Sequence, residues 1–238
     1  MSKRSLLALL IAVILPTTSY LLVKHYGERD THMPGRYFFD SIKPVTKNGK
    51  LIYDTVWHEV RNIAFTNQLG QKVNLYDLKG KIIVLDFFFT RCPTICPVLA
   101  RSMQKLQRSF KLNDTSFVQF ISVSVDPEHD SVTQLRHFAD RLNADHNSWW
   151  FVTGNKKDIY DFALNDMKAS IADVHVDTAF VHTQLFFLLD REHIVRGWYD
   201  GLDSMKQAKL VRDIPLLMLE KNRKKTFAEF LKELFGRS

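Results

Sequence analysis

The chain has 238 residues, 45% hydrophobic, 12% aromatic and 25% charged, a composition that can bury a core and excludes a wholly disordered segment. Its net charge of +7 and pI of about 9.3 do not mark a nucleic-acid partner. The lysines and arginines are scattered, and the densest run, Lys221-Asn222-Arg223-Lys224-Lys225, has no interleaved aromatics. That run reads as a solvated helix end, with contact to an anionic membrane surface or an acidic partner as the lesser reading.

Lys3-Arg4 precedes an uncharged stretch, Ser5 to Val23. As a helix it would span about 28 Å, close to the hydrocarbon thickness of a bilayer, and the leading cations would hold the N-terminus inside. Residues 1–24 are therefore expected to be a transmembrane anchor or a cleaved signal helix. The anchor is preferred, because no Ala-x-Ala site follows and apolar residues resume at Leu21 to Val23. A lipoprotein signal is excluded, since no cysteine lies there. Either way the rest of the chain is expected outside the cytoplasm, on the periplasmic or equivalent side, where thiols can be oxidised.

Residues 25–54 are polar, with Pro34, Gly35, Pro44 and Gly49, and read as a tether with an irregular lead-in. A domain over residues 55–221 follows. Val60 to Thr66 reads as a strand and Val73 to Leu78 as a short apolar segment. Lys81 to Phe89 reads as a central strand apolar on both faces. Pro97 to Phe110 has a helical period, Phe117 to Val125 is a second buried strand, and Ser131 to Leu142 is a helix. Trp149 to Val152 is a short strand and Lys156 to Met167 a helix. Thr183 to Asp190 and Ile194 to Tyr199 form a hairpin. Asp203 to Lys221 is a last helix, with Pro215 marking a kink or an early stop. Residues 222–238 are an extension with a small amphipathic pattern. Alternating strands and helices, closed by a hairpin, predict an α/β fold: a thioredoxin-like mixed sheet flanked by helices.

The only two cysteines stand four apart, in Thr90-Arg91-Cys92-Pro93-Thr94-Ile95-Cys96-Pro97. They fall where the buried strand ends and a helix opens, and a helix N-terminus favours thiolate over thiol. Thiolates bind soft metals and attack disulfides, so metal binding and redox exchange are the two chemistries in view. Of the nine histidines, His182 stands out, because Ala179-Phe180-Val181-His182-Thr183 leads into the first hairpin strand. The loop before that strand lies beside the cysteine turn in a thioredoxin-like sheet. His175 is in a nearby loop, whereas His129, His137 and His146 read as surface residues. Two thiolates and one imidazole suit Cu(I), and Cu(II) less readily. Asp126-Pro127-Glu128 reads as a strand-to-helix turn, with Asp130 or Ser131 capping the next helix.

Phe89-Thr90-Arg91-Cys92-Pro93-Thr94-Ile95-Cys96-Pro97, then Ser122 to Glu128, then Val181-His182-Thr183 resemble the SCO/SenC family over about His58 to Glu220. The resemblance implies a membrane-anchored, thioredoxin-like protein that matures the copper site of cytochrome c oxidase. Carried over, the copper ligands are Cys92, Cys96 and His182, and the recipient is subunit II of a haem-copper oxidase. The rival function is a thiol–disulfide oxidoreductase acting on the recipient's cysteines through the same Cys92 and Cys96. This chain has Val181 where the family often has Asp before the histidine, and residues beyond Glu220 lie outside the resemblance.

Overall fold

In the computed structural model the described residues are 4, 12–22, 33–47, 50–111, 117–169 and 184–220. The chain divides into two compact units, Met1–Met33 and Pro34–Ser238. In the first, residues 12–22 are helical (α1). The Thr17 and Thr18 hydroxyls donate back to the carbonyls of Val13, Ile14 and Leu15, so these polar groups are satisfied within the helix. Among the described residues no helix is long and apolar enough to cross a membrane.

The second unit is built on a seven-stranded mixed sheet. Its strands are β3 (Ala64–Asn67), β4 (Lys72–Asn74), β5 (Ile82–Phe88), β6 (Val118–Ser124), β7 (Trp149–Thr153), β8 (Leu185–Leu189) and β9 (Val195–Asp200). The order across the sheet is β4-β3-β7-β6-β5-β8-β9. β5, β6 and β7 run parallel, and β8–β9 is an antiparallel hairpin joined to β5.

All seven residues of β5 are buried, Asp86 among them, as its otherwise apolar run predicts. Its side chains alternate between two cores. Ile82, Val84 and Phe88 meet helices α2 (Cys96–Lys111), α3 (Val132–Arg141) and α5 (Ser204–Leu219). Ile83, Leu85 and Phe87 meet the 3-10 helix Leu75–Leu78 and the segment made of α4 (Lys156–Asp161) and a π-helical turn (Phe162–Asp166). The expected thioredoxin-like sheet with helices on both faces is thus present.

α2 is amphipathic: Leu99, Met103, Leu106 and Phe110 are buried, while Arg101, Lys105 and Arg108 are exposed. Ser131 caps α3 by accepting from the Gln134 N–H. Asp203 caps α5 by accepting from Met205 and Lys206.

Two expectations change. Within residues 25–54, read as a tether with an irregular lead-in, β1 (Phe39–Lys47) begins an antiparallel hairpin with β2 (Lys50–Trp57), a two-stranded sheet of its own. Its register runs from Phe39 opposite Trp57 to Lys47 opposite Lys50. Pro215 does not stop α5, which continues to Leu219. Burial of Leu210, Ile214 and Leu217 against the sheet outweighs the lost hydrogen bond.

Arg196 is buried on β9 and ties the ends of this unit together. It pairs with Asp190 at 2.9 Å and Glu220 at 2.5 Å, and donates to the carbonyls of Pro34 and Gly35. Removing one partner of such a buried pair typically costs about 3–5 kcal/mol.

Candidate metal centre

The site is the turn from Phe89 to Ile95, between the end of β5 and the start of α2. Thr90 is pinned at its head. Its N–H and its hydroxyl donate to the Asp130 carboxylate, at 3.1 and 2.5 Å, and the Ser124 hydroxyl donates to the same carboxylate at 2.5 Å. Asp130 is wholly buried, so these bonds replace water it cannot reach. Arg91 reaches Asp126 at 2.8 Å, and His129 holds the other oxygen of that carboxylate at 2.8 Å. Burial pushes the Asp126 carboxyl up, but His129 and Arg91 outweigh it and hold the group below the usual carboxylate range.

Both cysteines are free thiols. Cys92 is 7% exposed and Cys96 2%. The N–H of Cys96, the first residue of α2, donates to the Cys92 sulfur at 3.5 Å, and the Thr94 hydroxyl lies 3.9 Å from it. The sequence predicts that the helix start favours both thiolates, whereas the structure divides them. At Cys92 burial raises the pKa, but hydrogen bonds from the Cys96 thiol, the Cys96 and Thr94 N–H groups and the Thr94 hydroxyl bring it below the ordinary thiol value. At Cys96 burial, the hydrogen bond to Cys92 and the charges of Cys92 and Asp86 push the pKa well up. The helix amide thus serves the sulfur before the helix, and the sulfur inside the first turn keeps its proton.

Two soft donors on one short turn suit a soft cation. His182 and His175 lie outside the described residues, and among the described residues no group of three His, Cys, Asp or Glu side chains could hold a metal ion. The pair therefore stands as two-thirds of the expected ligand set. His129 is tied to Asp126. His146 lies against Asp140 and Gln68. His58 sits between Asp40 at 2.8 Å and Asp166 at 3.6 Å. His193, in the hairpin link, is fully buried. None of these joins the cysteines.

The sequence offers Asp130 or Ser131 as the cap of α3. Ser131 takes that role, and Asp130 reaches back 40 residues to Thr90. Its only local signal is the tight Asp126-to-Ser131 turn, which cannot say that the carboxylate faces the neighbouring strand end.

Asp86 is fully buried on β5, on the same face as Val84 and Phe88. It accepts from the Ser122 hydroxyl at 2.6 Å, and Ser122 in turn accepts from the Trp149 indole at 2.9 Å. Burial pushes its carboxyl up to about 7, against the pull of the Ser122 hydrogen bond. In the unfolded chain it ionises near pH 3.9. The native state thus keeps a proton that the unfolded state releases, and stability falls as pH rises through that window, by up to about 4 kcal/mol. Asp86→Asn, neutral throughout, is expected to be more stable than the parent chain at pH 8, with the gap closing near pH 4. Urea midpoints that coincide at pH 8 would contradict this.

The SCO1/SenC family model matches residues 58–218. The "SCO1 protein homolog" of Bacillus subtilis is 34% identical over 167 residues, which cover 70% of this chain and 86% of that one. A SCO1/SenC family lipoprotein from Bacillus anthracis superposes with a TM-score of 0.61 at 34% identity, over 68% of this chain and 95% of the other. BsSco, described as a member of the Sco family of cytochrome c oxidase assembly proteins with a disulfide switch, gives a TM-score of 0.59 at 33% identity, over 70% and 98%. Arabidopsis thaliana ScoI, solved with copper bound, shares the fold at 22% identity with a TM-score of 0.53, over 66% and 99%.

Proposed function

The chain belongs to the SCO1/SenC family, and from that membership we propose that it is a copper metallochaperone. Copper is its cargo. The thiolates of Cys92 and Cys96 and the imidazole of His182 hold the ion, and ligand exchange passes it to subunit II of a haem-copper respiratory oxidase. The observation that carries the reading is the paired sulfurs, held on a turn anchored by Asp130 and Asp126. Homologues in the family bind copper and act in cytochrome c oxidase assembly. Residues 1–24 serve as the membrane anchor and place the domain on the extracytoplasmic face. A homologue that is a lipoprotein supports attachment to a membrane, by a different device.

The division of the thiols favours a second activity at the same site. The Cys92 thiolate attacks a partner disulfide and forms a mixed disulfide. Cys96 then loses its proton and attacks the Cys92 sulfur, releasing the partner as a dithiol and leaving a Cys92–Cys96 disulfide. The partner is reduced by two electrons and the pair oxidised by two.

The test is a titration of the reduced full chain with Cu(I) against a competing chelator. One-to-one binding that survives the competitor is expected. Binding no tighter than that of an unrelated dithiol would overturn the chaperone reading. Turnover of a disulfide substrate would then leave the second.

A further inference from the structure

An open groove of about 310 Å³ lies directly beside the cysteine turn. Thr90 and Pro97, which bracket the two cysteines, line it together with Phe138 and Leu142 of the α3 region, Arg101 of α2 and Arg141 of α3. Both arginines are exposed, and neither has a carboxylate partner among the described residues. Asp140, the carboxylate next to Arg141, is engaged by Arg136 and His146. The Arg141 guanidinium lies 5.5 Å from the centre of the Phe138 ring, which holds it over the apolar lining. The cationic character continues away from the thiols. Arg101, Lys105 and Arg108 follow one another at i, i+4 and i+7 on the exposed face of α2, and that helix contains no carboxylate at all.

We propose that this groove receives an extended acidic segment of the copper-receiving protein, with an apolar side chain over Phe138 and carboxylates meeting Arg101 and Arg141. The inference rests on the delivery reading and names the surface by which the recipient docks. Unpaired cations from two helices, lining one recess with Phe138 and Leu142, call for an occupant that carries both an apolar side chain and anionic groups. The recess is concave and sized for one or two side chains, which fits a polypeptide segment and not the flat face of a bilayer. Thr90 and Pro97, the residues on either side of the cysteine segment, line the groove, so a segment lying there is held beside the cysteine turn.

The test follows copper transfer. Full chain in phosphatidylcholine vesicles, reduced and loaded with Cu(I), is mixed with the copper-free recipient domain of oxidase subunit II at low and high ionic strength. Arg101→Glu combined with Arg141→Glu is expected to slow transfer about tenfold at low salt and to remove most of the salt dependence, while Arg101→Lys with Arg141→Lys stays within about twofold. Transfer by the glutamate variant at the parent rate overturns the proposal. So does a slowing fully accounted for by lost Cu(I) affinity, measured alongside. A slowing that appears only when phosphatidylglycerol is added to the vesicles assigns the cations to lipid and also overturns it. An unsubstituted chain that loads copper but passes none to the recipient overturns the delivery reading, and the groove's role with it. That failure shows in the parent chain before any variant is compared.

Discussion

Cys92→Ser is expected to abolish copper loading, lowering Cu(I) affinity by more than about a hundredfold in a chelator competition. Serine keeps the shape of the side chain, but its hydroxyl is a hard donor that stays protonated at any physiological pH. The structure makes Cys92 the more costly of the two cysteines to lose. Its sulfur receives the first amide of α2 and the hydroxyl of Thr94, and so its thiolate is the one the protein stabilises. The same substitution is expected to stop disulfide reduction at its first step. Cys96→Ser, by contrast, should still attack a disulfide substrate and then stall as a mixed disulfide, which intact-mass measurement detects as a stable adduct. A Cys92→Ser chain that loads copper normally would sink the shared site. An adduct trapped by Cys92→Ser in place of Cys96→Ser would reverse the roles assigned from the geometry.

His182→Ala is expected to weaken Cu(I) binding by about 10- to 1,000-fold while leaving the Cys92–Cys96 disulfide free to form. The motive is the ligand count. The described residues bring two sulfurs together and supply no third His, Cys, Asp or Glu to them, and a two-thiolate site left open would bind a competitor's thiols as readily as keep its ion. His175→Ala is the matched control, since that residue lies in the same stretch of sequence before β8. Unchanged affinity in His182→Ala with a loss in His175→Ala would move the third ligand to His175. Unchanged affinity in both would leave copper on the two cysteines alone.

Much of the fold was legible because its signals are local. A run of seven residues that is apolar but for Asp86, bulky and short, reads as a strand covered on both sides, and β5 is that strand. The stripes of α2 and α3, and the polar link between β8 and β9, were read to within a residue or two. The β1–β2 hairpin was not read from the sequence because its polar composition and the prolines and glycines at 34, 35, 44 and 49 suggested a tether. α4 gives way to a π-helical turn at Phe162, a change of hydrogen-bond register that the same apolar period cannot reveal.

From Val60 onward the sequence by itself determined the order of strands and helices, the place of the cysteine pair at the C-terminal end of the central strand, and the soft character of its donors. These follow from residue type and spacing over a few positions. Only the tertiary structure decided which carboxylate anchors the turn, which sulfur is the stabilised thiolate, and that two unpaired arginines line one groove at its side. Asp130 meets Thr90 across 40 residues, and Arg101 and Arg141 line one groove only because α2 and α3 pack on the same face of the sheet. Such juxtapositions depend on how the sheet folds back on itself, and spacing along the chain carries no trace of them.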